Sequence, residues 1–115
     1  MKINSYTTAS GKNEIKEYIN KLSQDERTEA FKILNNLQIN GVDELQYLNT
    51  RQLRKKLWEI KFYNHNRIMY VLADADNIYL LHICKKQKGK AEKFELDKAI
   101  KRAKELGRTL NKDFV

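Results

Sequence analysis

The sequence predicts one α+β domain spanning residues 1–115, with elements in the order β-α-α-β-β-β-α. Two stretches near the amino terminus carry apolar residues at helical spacing, and a middle region switches to strand alternation before a last amphipathic helix. The 115 residues include no proline, only four glycines, no internal repeat and no linker-like composition, so one compact unit is expected.

Taken in order, "KINSYTT" alternates weakly and reads as a short first strand. From Ser10, taken as N-cap, a helix follows with Ile15, Tyr18, Ile19 and Leu22 on one stripe. Ser23 and Glu26 have capping-box spacing and start a second helix, whose buried face is Ala30, Phe31, Ile33, Leu34 and Leu37 and whose stop is Gly41. The pair should be antiparallel. "VDELQYLNTRQLR" reads as a helical turn or loop.

Alternation in "KLWEIKFY" then puts Trp58, Ile60 and Phe62 on one strand face, and Leu57, Glu59, Lys61 and Tyr63 on the other. "NHN" is a turn, "RIMYVLA" a strand and "DADN" a second turn, because Asn and Asp tolerate tight-turn backbone angles. "IYLLHICKK" is apolar on both faces for most of its length and suits a central strand. A helix over residues 91–106 turns Leu96, Ala99, Ile100, Ala103 and Leu106 inward and ends at Gly107. The last three strands form an antiparallel meander, with the two amino-terminal helices packed on one face.

The net charge of +8 is uneven. Residues 1–50 hold six bases and seven acids, a net of −1, and residues 51–115 hold seventeen bases and eight acids, a net of +9. Such a field attracts polyanions. No apolar leader opens the chain, and the longest near-apolar stretch, "IYLLHIC", is far short of the roughly 20 residues of a membrane span. A soluble cytoplasmic protein with no membrane partner is therefore expected. The lone Cys84 fits a reducing compartment and a buried structural thiol.

The basic run "HICKKQKGK" closes the central strand. If Trp58, Ile60 and Phe62 face the helices, Lys61 and Tyr63 face away, Arg67 lies across the hairpin, and Lys85 and Lys86 end the next strand. The expected patch joins Lys61, Arg67, Lys85 and Lys86, with Tyr63, His65 and His82 close by. It is the size of a phosphate site. Such a patch suits RNA cleavage by the substrate's own 2′-hydroxyl: a lysine crowded by cations as base, and permanently charged arginine on the phosphate. The histidines and acids show no metal-ligand spacing, so neither metal nor cofactor is expected. Lys88, Lys90 and Lys93 would attract RNA electrostatically, and Tyr63 could stack on a base.

Plainer explanations exist for each residue. A strand lysine is usually a solvated charge, Arg67 could pair with Glu59, and His82 in an apolar strand is more often a hydrogen-bonded core histidine. For His65, in a turn, the plainer reading is a turn residue. Glu59 beside Lys61 would hold that lysine protonated. The patch explanation fails if Lys61, Arg67 and Lys86 lie on opposite sides or are buried in unrelated ion pairs.

The run from "LRKKLWEIKFYNHNRIMYVLADADNIYLLHICKK" through "KFELDKAIKRAKEL" resembles the RelE/ParE toxin superfamily, most closely its phage-derived HigB-like branch, over about half the chain. The resemblance implies a RelE-like fold and a type II toxin that cuts translated mRNA on the ribosome. Its partners would be ribosome, mRNA and a HigA-like helix-turn-helix antitoxin, with a possible toxin–antitoxin heterotetramer. By position, Lys61 in "WEIK" matches a basic residue of the active strand and Arg67 in "NRIMY" the arginine on the scissile phosphate. Lys86 in "CKK" matches a second cationic stabiliser, with Lys85 beside it. Glu59 stands where some relatives have a base, and no tyrosine follows "KKQKGK", so the general base and acid stay open. The same superfamily includes gyrase inhibitors of the ParE branch, and a noncatalytic RNA-binding protein is a third alternative.

Overall fold

The computed structural model describes residues 1–63 and 65–115. It is α+β, with a five-stranded mixed sheet in the spatial order β1-β5-β4-β3-β2. The strands are β1 (Lys2–Ser5), β2 (Asn49–Arg54), β3 (Leu57–Phe62), β4 (Asn66–Asp74) and β5 (Asn77–Lys85). The helices are α1 (Glu14–Asn20), α2 (Gln24–Asn40) and α3 (Gly89–Leu110). β2 to β5 form an antiparallel meander, and β1 adds to the outer edge of β5 in parallel. Among the described residues, no helix is long and apolar enough to cross a membrane.

Local chemistry accounts for most boundaries. Asn13, rather than Ser10, caps α1: its side chain accepts from the Lys16 amide at 3.0 Å. Ser23 caps α2 as expected, accepting from the Glu26 amide and donating to the Glu26 carboxylate at 2.9 Å. Gly41 ends α2 with φ 72°, a left-handed conformation that glycine adopts without a Cβ penalty. The "DADN" turn is held by Asp74, which accepts from the Asp76 amide and the Asn77 side chain. In the expected "NHN" turn, Asn64 lies outside the described residues.

Further expectations change. The segment read as a helical turn or loop divides into a 3-10 turn, Gly41–Tyr47, and the strand β2, so the sheet gains a fifth strand. β2 is a half-exposed edge strand, and its sequence NTRQLR carries little apolar alternation. Phe31 projects into solvent rather than into the core. Trp58 is partly exposed, near the β2 edge. Gly107 does not stop the last helix, which runs on to Leu110 and is ended by Asn111 in the left-handed conformation. Gly107 instead lets the returning tail pass: a Cβ there would lie 2.5 Å from the Lys112 carbonyl oxygen.

Both sheet faces are covered. On one, α1 and α2 bury Ile15, Ile19, Ala30, Ile33 and Leu37 against Ile60, Phe62, Ile68, Tyr70, Ile78, Leu80 and Ile83. On the other, α3 and the carboxy-terminal tail bury Ala99, Ile100, Ala103 and Phe114 against Leu57, Met69, Val71, Leu81 and Cys84. The strand face expected to be bare is thus largely roofed by α3.

One irregularity matters for the site. Tyr70 pairs with Leu80 but the preceding Met69 pairs with His82, so β5 carries one extra residue between them. Before this bulge, the even-numbered Ile78 and Leu80 face α1 and α2; beyond it, Ile83 takes that face and Cys84 turns to α3. The bulge therefore aims His82 and Cys84 at α3. Arg102 of α3 donates to the carbonyl of Leu81 at 2.9 Å, satisfying a backbone acceptor at the irregularity.

A candidate phosphate site at the ionic end of the sheet

Lys61 of β3, Arg67 of β4 and Cys84 of β5 are direct cross-strand neighbours, in one row across the sheet. Lys61 and Arg67 therefore come together on the α3 face as the alternation predicts. They have different surroundings. The Lys61 side chain is partly exposed, with its Nζ 3.9 Å from Glu59. Arg67 is 1 % exposed, and its guanidinium is held by Glu59 from below and by Glu92 of α3, at 2.6 Å, from above.

Glu59 is completely buried and is the hub of this end of the molecule. Arg51 of β2 lies 2.9 Å from its Oε1, yet that oxygen receives no well-formed hydrogen bond. Three cations, Arg51, Lys61 and Arg67, thus surround two carboxylates, Glu59 and Glu92. Burial works against the charge of Arg67, but hydrogen bonds and Coulomb attraction from Glu59 and Glu92 outweigh it, and its pKa lies above the ordinary arginine value. Arg67 is a fixed cation, but it is enclosed between Glu59 and Glu92, so the open patch expected to join Lys61, Arg67 and Lys86 is not present as such: a phosphate reaches Arg67 only by displacing Glu92.

The structure separates Lys85 from this patch. Lys85 follows Cys84 and points to the opposite face, where its Nζ lies 3.4 Å from Glu26. Glu26 also accepts from the Asn66 side-chain amide, whose Oδ1 accepts from the Tyr18 hydroxyl at 2.7 Å. Lys86 is exposed, and its backbone amide donates to the His65 carbonyl at 2.7 Å, tying the end of β5 to the β3–β4 connection. Tyr63 and His65 are exposed on the same rim. Lys88, Lys90 and Lys93 are exposed at the start of α3, available for electrostatic attraction.

His82 is buried, and its Nε2 lies 2.6 Å from the Glu95 carboxylate of α3. Burial lowers its pKa, partly opposed by the bond to Glu95, so the ring is held towards the neutral form. Burial likewise pushes the Cys84 thiol up to about 12, which favours its protonated form. His82 is thus the hydrogen-bonded interior histidine of the plainer explanation. It sits one row behind the Lys61–Arg67 row, opposite Met69.

The sequence reading missed Glu92, Glu95, Arg51 and Arg102. The two glutamates are three apart, which puts them on one helix face, but only the docking of α3 shows that this face meets Arg67 and His82. Arg102, which is buried, pairs with Glu14 of α1 and stacks 4.2 Å above the Tyr6 ring.

With this geometry in view, residues 17–104 match the family of phage-derived Gp49-like proteins (DUF891). The chain belongs to that family. The match runs from within α1 to within α3, so it includes every strand except β1 and all the residues of the ionic end. No curated protein matches this Gp49-like chain closely enough to count as a relative.

Proposed function

We propose that this Gp49-like chain is a HigB-like toxin of a type II toxin–antitoxin system, with a RelE-like fold, that cleaves translated mRNA on the ribosome. The observation that carries the reading is the cross-strand pair of Lys61 and Arg67, inside a cluster where three cations face two carboxylates. Membership of a phage-derived family and the net +9 of residues 51–115 support it.

In this mechanism a backbone phosphate takes the place of Glu92, the more exposed of the two carboxylates, on Arg67. Arg67 and Lys86 then stabilise the charge building on the phosphorane, and Lys61, 3.9 Å from Glu59, adds to that positive charge. The 2′-hydroxyl proton leaves to a side chain neighbouring Lys61 or to solvent, and the departing 5′-oxygen takes its proton from solvent. Glu59 stays beneath Arg67 and fixes the plane of its guanidinium. Tyr63 and His65 line the approach, and Lys88, Lys90 and Lys93 hold ribosomal RNA. The products are a 2′,3′-cyclic phosphate and a 5′-hydroxyl, and no metal enters the scheme. The reading includes a HigA-like helix-turn-helix antitoxin as partner and the cytoplasm as the place of action.

The test is primer extension on mRNA from cells expressing the protein. Discrete cuts in translated messages are expected, weakened about 100-fold by Lys61→Ala and by Lys86→Ala, both on exposed or half-exposed positions where folding is preserved. Growth arrest with intact mRNA overturns it. The ion pairs that occupy Arg67 favour one rival, a noncatalytic RNA-binding protein that uses only its lysine rim. Salt-sensitive binding to RNA that stays intact on actively translating ribosomes would select that rival. A ParE-like gyrase inhibitor would instead block supercoiling and leave mRNA uncut.

A further inference from the structure

Behind the Lys61–Arg67 row, the Nε2 or Nδ1 of His82, the Sγ of Cys84 and a carboxylate oxygen of Glu95 all lie within 4.8 Å of one another. We propose that these three side chains form a Zn²⁺ site clamping α3 to β5. In a tetrahedral zinc site with Zn–N of about 2.0 Å and Zn–S of about 2.3 Å, neighbouring donors stand about 3.5 Å apart. To bind one ion, the His82–Glu95 pair, hydrogen-bonded at 2.6 Å, must open towards the donor spacing of such a site, and the other donors must close in from within 4.8 Å.

Several independent features converge on this site. Imidazole nitrogen, thiolate sulfur and carboxylate oxygen are the three donor types that zinc accepts. Zinc binding would displace the Cys84 proton to solvent, and the resulting thiolate together with one carboxylate cancels the charge of the divalent ion, so the complex leaves no net charge in a mostly buried position. His82 and Cys84 are set two apart on a strand, in register with Met69 and Arg67, and the bulge before them aims both at Glu95. The donors thus come from rigid elements rather than loops.

A cavity of about 550 Å³ between α1, α3 and the outer edge of β5 is lined by all three residues. It gives an ion a route in and leaves the fourth coordination position open to water. Most of the nearby cations have carboxylate partners: Lys98 and Arg102 pair with Glu14, Arg67 with Glu59 and Glu92, Lys12 with Glu17 and Lys85 with Glu26, while Lys21 also lines the cavity. Their repulsion of a metal ion is correspondingly reduced. The proposal does not depend on the RNA-cleavage reading, because it concerns binding alone.

The experiment uses the full chain, reduced and stripped of metal. Titration with Co²⁺ should produce a thiolate-to-cobalt charge-transfer band that saturates at one equivalent and is removed by Zn²⁺. Cys84→Ser should abolish the band. Glu95→Gln, which can keep a hydrogen bond to His82, should weaken zinc binding at least tenfold in competition with a chromophoric chelator. Zinc should also raise the unfolding temperature of the unaltered protein but not of Glu95→Gln, so the result stands even if Cys84→Ser fails to fold. No charge-transfer band at saturating cobalt, or equal zinc affinity in the unaltered and Glu95→Gln proteins, overturns the site.

Discussion

The sheet face under α1 and α2 is closed mainly by aliphatic and aromatic side chains, whereas the face under α3 is apolar near Leu57 and Phe114 but ionic near Arg67 and His82. The first gains its stability from surface removed from water, without directional demands. At the ionic end each buried polar group must meet a partner from another element: Arg67 meets Glu59 and Glu92, and His82 meets Glu95, across three strands and a helix. Replacing a residue on the first face costs in proportion to the space left. At the ionic end it costs according to what is left unpaired. A face built in that second way suits exchange of one anionic partner for another.

The largest expected effect tests this contrast directly. Glu59→Ala leaves Arg67 without its buried partner and should cost about 3–5 kcal/mol in urea unfolding, while Glu59→Met combined with Arg67→Met should recover most of the loss. A cost below about 1 kcal/mol for Glu59→Ala would mean that water reaches the pair, and the contrast between the faces would collapse. Leu37→Ala, at a fully buried position on the apolar face, should cost about 3 kcal/mol, and no second substitution at a charged site should rescue it.

Gly107→Ala comes next. The new methyl group meets the Lys112 carbonyl, so the tail carrying Phe114 must shift, at about 1–3 kcal/mol by thermal unfolding. The smallest effect is a pH dependence. The hydrogen bond from Arg102 holds the Glu14 carboxyl below its ordinary 4.5, although partial burial opposes this. The unfolded chain therefore binds this proton more readily, so the contribution of Glu14 is complete above about pH 4.5 and is lost as pH falls through the lower folded value. Glu14→Gln should flatten the acid limb of the stability curve relative to the unaltered protein. Identical limbs would show that Arg102 gains nothing from this partner.

Much of the architecture was legible because it rests on local rules. The Ser23 cap, the Gly41 stop, the "DADN" turn and the three-strand meander follow from short-range hydrogen bonding and period. β2 was not, because an edge strand with NTRQLR needs no buried alternation and takes its conformation from pairing with β3. Gly107 misled for a related reason: its purpose is a close approach by Lys112, which no local pattern records. At the site, the adjacency of Lys61 and Arg67 was readable from hairpin geometry. The position of Lys85 was not, since the bulge at Leu81 and His82 reverses which face the later residues of β5 take.

The sequence by itself determined the α+β class, the strand meander, the charge imbalance between the two parts of the chain and the pairing of Lys61 with Arg67, because periodicity and turn chemistry act within a few residues. Only the tertiary structure decided that Arg67 is enclosed by Glu59 and Glu92 and that His82, Cys84 and Glu95 converge. Those contacts join residues from separate elements, and a single bulge together with the docking of α3 sets which side chains meet.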